Sequence, residues 1–206
     1  MSSALLQTTY FGPVQWYQKL YRYDHCTIEQ YDSFQKQTYR NRCVISTANG
    51  LQALTVPVEH SPLTSNHSPL VKDLRISDHN QWRRVHWNAL QSAYSESPFF
   101  EYYAVDLHPF FERKYTFLVD FNENIRQIIC EIIDMQPSVS YTLGFSHHTS
   151  DIVDYRDIIH AKHPQSDPDF EPKAYWQVFQ HKHGFLPNLS ILDLLFCMGP
   201  ESIFYL

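Results

Sequence analysis

Residues 4–30, ALLQTTYFGPVQWYQKLYRYDHCTIEQ, decide the fold of this 206-residue chain. Residues 4–9 read as a short strand, Gly12-Pro13 breaks it, and residues 14–22 carry a helical pattern. His25 to Gln30 reads as a second strand, so the opening is a β-α-β unit. Outward from it, Cys43–Val58 has the signature of a hairpin. CVIST and LQALTV flank Ala48-Asn49-Gly50, and Asn-Gly is the strongest two-residue hairpin signal. Pro57 closes the second strand or marks it as an edge.

A polar loop over 59–69 (EHSPLTSNHSP) precedes an expected short strand, Lys72–Ile76. Ser77 or Asp78 is then placed to cap a helix running to about Tyr94, which Ser97-Pro98 breaks. Residues 109–134 keep a period near 3.6, with a division expected at Asp120 or Asn122. A strand is expected near 139–145 and Pro-rich loops around 164–172. A last helix begins after Pro187-Asn188, with Ser190 and Asp193 spaced as a capping box and Gly199-Pro200 as its stop. The expected class is α/β. The β-α-β unit and the hairpin form a small sheet, covered by helices, with a helical C-terminal part, all in one domain over residues 1–206.

Composition excludes several functions. Only five glycines are present, at 12, 50, 144, 184 and 199, too far apart for a dinucleotide fingerprint or a P-loop. HExxH and GxSxG are absent. Residues 1–90 carry nine Lys/Arg against six Asp/Glu, and residues 91–206 carry seven against sixteen. A positive front half on a chain of net charge −6 suits a small anionic ligand, not nucleic acid, which wants a broad basic face. Cys26, Cys43, Cys130 and Cys197 are scattered among apolar neighbours and read as buried thiols of a reducing, cytoplasmic compartment. No stretch reaches the 18 apolar residues of a membrane span, and MSSALLQTTYF lacks a signal peptide's basic start. The pairs His147-His148, His160/His163 and His181/His183 match no metal-ligand spacing, so no metal is expected; no cofactor is indicated.

Two clusters could carry chemistry. In QKQTYRNR (35–42), an extended stretch would put Arg40 and Arg42 on one side, beside Lys36 and Asn41. Paired planar guanidinium groups suit bidentate capture of phosphate or carboxylate, and a solvated edge is the alternative. In WRRVHW (82–87), Trp82 and His86 share a helix face, with Tyr94 two turns on. His86 there is either a general base or a core histidine bonded to a backbone carbonyl.

The ordered strings YFGPVQWYQKL, QKQTYRNRCVISTANG, LTVPV, DLRI, WRRVHWNALQSAYSESPFFEYY and YWQVFQHKHGFLPNLSILDLLFCMGPES resemble the WbqC-like family, bacterial proteins of O-antigen and other surface-polysaccharide gene clusters. The resemblance implies a function in polysaccharide decoration, with glycine transfer as one suggestion. The family's recurrent polar residues fall on Lys36, Arg40, Asn41, Arg42, Trp82, His86, Tyr94, Gln177, Asn188, Ser190 and Asp193. Many relatives open with His-Gln-Pro, where this chain has Leu6-Gln7-Thr8.

The expected activity is a transferase acting on a nucleotide-linked sugar or another phosphorylated small molecule. His86 would be the base, with Lys36, Arg40, Asn41, Arg42, Trp82, Tyr94, Gln177 and Asn188 as binding groups. The alternative is a non-catalytic module binding a metabolite or a protein partner, for which Phe99-Phe100-Glu101-Tyr102-Tyr103 would supply an aromatic patch.

Overall fold

The structure is a computed structural model that describes residues 2–59, 68–146 and 151–206. The opening unit forms as read. Strand β1 (Ser3–Gln7) leads to helix α1 (Val14–Arg22) and returns as β2 (His25–Glu29), parallel to β1 with Gln7 opposite Glu29. Two later strands join this pair. β5 (Val139–Tyr141) adds beside β2, and β6 (Val153–Asp154) adds beside β1, giving a parallel sheet in the order β5-β2-β1-β6. The hairpin strands β3 (Arg42–Thr47) and β4 (Gly50–Thr55) pair only with each other, as a separate two-stranded sheet. Gly50 closes their turn at φ +105°, a backbone angle a side chain would resist.

The sheet's two faces differ in chemistry. Ala4, Leu6, Cys26 and Ile28 alternate onto one face, where Trp16, Tyr17 and Leu20 of α1 join the buried core. On the other, alternation places His25, Thr27 and Glu29 of β2 beside Ser140 and Asp154. Parallel sheets are normally apolar on both faces. This one is not.

The helical part is α2 (Trp82–Tyr94), α3 (Phe100–Leu107), α4 (Pro109–Glu112), α5 (Leu118–Ile132), α6 (Gln180–His183) and α7 (Ile191–Met198). Helix α7 is buried from Ile191 through Cys197, as expected of a helix apolar all round.

Four expectations change. Residues 72–76 form no strand; Val71–Asp73 is a 3-10 turn whose amides at Val71 and Lys72 are held by the carbonyls of Asp32 and Gln30. Neither Ser77 nor Asp78 caps α2, because Asn80 and Gln81 take positive φ and delay its start to Trp82. The helical stretch 109–134 divides at 113–117, where Thr116 O accepts from Ile76 N and Leu118 N donates to Leu74 O. Asp120 and Asn122 stay helical. Ser190 does cap α7, accepting from Leu192 N at 3.3 Å, but the Asp193 carboxylate turns to other partners. The loop 60–67 and the pair His147-His148 lie outside the described residues.

Candidate functional site

In open parallel sheets, ligands bind beyond the carboxyl ends of the strands. Here that edge carries a buried row of charge. Glu29 ends β2, is 2% exposed, and accepts from Thr142 Oγ1 and Ser146 N, both at 2.8 Å, and from Tyr31 N at 2.7 Å. Arg156, two residues past β6, reaches Glu29 Oε2 at 3.3 Å and forks onto Asp154, Nη2 to Oδ2 at 2.6 Å. Phe145 lies across the Arg156 guanidinium at 5.2 Å, so the segment just after β5 reaches over this polar face. Register explains the gathering: each of these side chains stands at or just past a strand's last paired residue, on the same side.

Arg40 adjoins this row. It is 3% exposed, ion-paired to Asp32, and within electrostatic range of Arg156, Asp157 and His160. Burial pulls its pKa down and Asp32 opposes that pull. His160 Nδ1 accepts from the amides of Lys162 (3.0 Å) and His163 (3.1 Å), which leaves the neutral ring's proton on Nε2 as a donor. Burial lowers its pKa, and the neighbouring His163 and Arg40 add to the effect.

The β1–α1 loop closes the edge. Phe11 holds φ +41°, a strained value for a bulky residue, with its ring stacked on Phe111 at 6.1 Å. Gly12 is required: a Cβ there would meet Thr9 Oγ1 at 2.5 Å. Helix α1 has no cap of its own, and Asn188 supplies one from across the chain. Its Oδ1 accepts from Gln15 N, and its Nδ2 donates to Gln15 Oε1, both at 2.9 Å. Gln15 Nε2 continues to Asp167 at 2.8 Å, and buried Lys19 Nζ stands 2.7 Å from the same carboxylate oxygen. The Lys19 contact is close but poorly aimed, so Nζ makes an ion pair without a well-formed hydrogen bond.

The sequence-expected residues fall into four places. Arg40 stands at the sheet edge. Lys36 is exposed on the turn before it, and Arg42 is half-buried on the hairpin with Nε 3.1 Å from Thr55 Oγ1. Asn41 is spent on the backbone, donating to Val56 O at 2.8 Å. His86 and Trp82 meet edge-to-face in the core at 5.1 Å. His86 Nδ1 is 2.9 Å from Tyr10 Oη, and its ring also hydrogen-bonds the Thr55 backbone. Burial pushes its pKa down to about 4, so it is neutral at physiological pH.

Tyr94 and Gln177 converge instead on Asp193, which is fully buried. Tyr94 Oη donates to it at 2.8 Å, Tyr175 Oη at 2.7 Å and Gln177 Nε2 at 2.9 Å. Gln177 also clamps the Leu186 amide and carbonyl.

Residues 36–42 and 82–94 are joined through the wall of the site: Tyr10, the partner of His86, donates its amide to Tyr39 O at 2.9 Å. Sequence reasoning missed Glu29, Asp32, Asn122, Asp154, Arg156 and the Gln7–Thr9 strand end. The available signal was Gln7 and Glu29, polar residues ending two strands of a parallel unit.

All four cysteines are buried and free. Burial raises their pKa, Cys26 and Cys43 to about 12 and Cys130 to about 11, far from a thiolate nucleophile. Among the described residues no group of three His, Cys, Asp or Glu side chains is placed to hold a metal, and no helix is long and apolar enough to cross a membrane.

The model of the WbqC-like protein family matches residues 7–167. That segment contains the whole sheet-edge cluster and stops before Tyr175, Gln177 and Asp193. The chain is 28% identical over 201 residues to "Uncharacterized protein Rv1507c" of Mycobacterium tuberculosis (strain ATCC 25618 / H37Rv), covering 85% of each. No solved structure matches.

Proposed function

The chain belongs to the WbqC-like protein family, and from that premise we propose that it is a transferase acting on a phosphorylated or nucleotide-linked sugar in surface-polysaccharide biosynthesis. The observation that carries this reading is the pair of buried guanidinium groups, Arg40 and Arg156, at the carboxyl edge of a parallel sheet with a polar face. Asp32 offsets the cost of burying Arg40, and Asp154 and Glu29 that of burying Arg156, so both guanidinium groups are held in place at the edge where a ligand would meet them. Phosphate or diphosphate oxygens between them would take bidentate hydrogen bonds, with the His160 Nε2–H as a third donor. Lys36 is the exposed cation nearest in sequence, placed to steer an anion inward.

Charge developing on a transferred acyl or phosphoryl group would be met by the same guanidinium groups. Glu29 and Asp154, both held by Arg156, are the carboxylates proposed to accept a proton from an attacking hydroxyl or amine, exchanging part of that ion pairing for the incoming group. The part proposed for His86 is to hold Tyr10, and through it the strand end and the 39–41 segment, in register. Trp82 packs that wall, and Asn188 fixes the first turn of α1.

Differential scanning fluorimetry against nucleotide sugars, sugar phosphates, nucleotides and amino acids tests this. A ligand at 100 times its dissociation constant stabilises by about 2.7 kcal/mol, which is roughly 5–10 °C for a chain this size. The shift is expected with phosphorylated sugars and lost in Arg40→Gln and Arg156→Gln. A flat response across the panel would sink the reading.

One observation favours the partner-binding alternative. Phe100 and Tyr103 of the aromatic patch are buried, but Tyr102 and Val105 on α3 are 72% and 77% exposed. Val105 also borders a groove of about 370 Å³ between α3, α4 and α5. Retention of a partner protein that Val105→Asp abolishes would support that alternative.

A further inference from the structure

An amide side chain can be turned end for end until its partners fix it. At the end of β1 the partners do. Gln7 Nε2 donates to the Ile159 carbonyl at 2.5 Å, and Asn122 Nδ2 donates to the Arg40 carbonyl at 2.8 Å and to Thr8 Oγ1 at 3.1 Å. Turning either over would set oxygen against oxygen. Gln7 Oε1 and Asn122 Oδ1 are therefore committed acceptors, and neither has a donor among the described residues. Thr9 Oγ1 is unpartnered as well. The three side chains are 1%, 2% and 3% exposed, so bulk water does not reach them freely. Buried acceptors left without donors are rare in folded proteins, and each asks for an explanation.

The charge around them has the matching sign. Among the described residues, Glu29, Asp32, Asp154 and Asp157 surround Arg40 and Arg156, and His160 favours its neutral form. Even without Asp154, the carboxylates of Glu29, Asp32 and Asp157 outnumber the two guanidinium groups among the described residues, an acidic excess beside the cations. A ligand that were only an anion would meet half of this site; one carrying a donor of positive charge would meet all of it. A hydroxyl donates one hydrogen and brings lone pairs of its own, whereas an ammonium donates three and brings none.

We infer that the ligand presents a primary amine to the carboxyl end of β1, where Gln7, Thr9 and Asn122 accept from it while its phosphate faces Arg40 and Arg156. This deepens the phosphorylated-sugar reading and rests on it: the substrate class becomes amino sugars bearing phosphate or a nucleoside diphosphate. No bond is made or broken in the step.

Matched pairs that differ only in amine against hydroxyl test it: glucosamine 1-phosphate with glucose 1-phosphate, and the two 6-phosphates, titrated calorimetrically into the full chain at pH 7. The amine of a pair is expected to bind roughly tenfold more tightly, the effect of about one charge-assisted hydrogen bond. Thr9→Val and Gln7→Met should each shrink that preference to within about threefold. Thr9→Val should not lower the melting temperature, since it removes an unpartnered polar atom at nearly constant volume, whereas Gln7→Met also removes the donor to the Ile159 carbonyl and is expected to cost about 1 kcal/mol. Equal affinity within both pairs would overturn the amine inference and leave the phosphate reading standing. Binding of none of the four, nor of any nucleotide sugar, would overturn both. Substitutions that raise the melting temperature without changing the preference would assign these oxygens to buried water and end the inference.

Discussion

Two buried acids show how differently this chain spends a carboxylate. Asp193 lies under α7, fully enclosed, with three neutral donors from Tyr94, Tyr175 and Gln177. Glu29 is almost as buried, but it faces a guanidinium, two backbone amides and a threonine hydroxyl at a sheet edge. Around Asp193 the hydrogen bonding closes on itself. Around Glu29 and the neighbouring strand end, acceptors remain open and strain is stored at Phe11. A closed network fixes a fold; an open one at a strand terminus is where a ligand adds what the protein lacks.

Replacing Asp193 should produce the largest effect. Asp193→Ala leaves three donors unpaired in the core and is expected to destabilise by about 4 kcal/mol, or roughly 8–16 °C in melting temperature. A loss below about 1 kcal/mol would mean the network is not closed, and would erase the contrast with Glu29.

His86 gives the next effect, read through pH. Its folded pKa of about 4 lies below the ordinary value of 6.5, so the unfolded state binds the proton first. Its contribution is complete above pH 6.5 and is lost as pH falls toward 4, up to about 3 kcal/mol. Denaturant unfolding across that window should show the slope, and His86→Gln should flatten it. An unchanged slope in the variant would place the titration elsewhere.

Arg40→Gln should split stability from binding. Asp32 keeps a side chain 17% exposed, so water can repair the lost pair and the cost is expected near 1–2 kcal/mol. Affinity for a sugar phosphate should fall at least tenfold, the cost of a bidentate contact. A variant that loses stability and keeps its affinity would move Arg40 into the closed class.

Arg42→Ala should be the mildest, within about 0.5 kcal/mol, because among the described residues its guanidinium hydrogen-bonds one threonine hydroxyl on a hairpin surface. Its ligand affinity then sharpens the boundary of the site: a drop would extend the site from Arg40 onto the hairpin, and no change would end it at the sheet.

The elements were legible where local chemistry decides them. The strand-like run at residues 4–9, the break at Gly12-Pro13 and the Asn-Gly turn each act over a few residues; the break and the turn stand as read, and the strand forms as Ser3–Gln7. The failures came where a distant backbone intervened. Residues 113–117 leave the helical path because Leu74 and Ile76 claim their hydrogen bonds, and no period within 109–134 reports that. The candidate site was half legible for the same reason. Arg40 announced itself within a cationic run, whereas Glu29 and Arg156 are 127 positions apart and meet only through strand register. Asp193 carried the spacing of a cap, but two tyrosines reach it first.

The capping of α1 by Asn188 has a consequence for how the chain comes into being. Ribosomes deliver residues in order, N-terminus first. The β-α-β unit therefore emerges early, yet its helix waits 173 positions for the amide that completes its first turn, and β1 waits until residue 153 for its outer neighbour. Until then one flank of β1 is an open template, the geometry that invites pairing with other nascent chains. Contacts so distant in sequence slow the search for the native state. The expected signature is a protein that refolds slowly, gains its solubility from synthesis as a whole, and profits from chaperones that shield its first thirty residues while the rest is made.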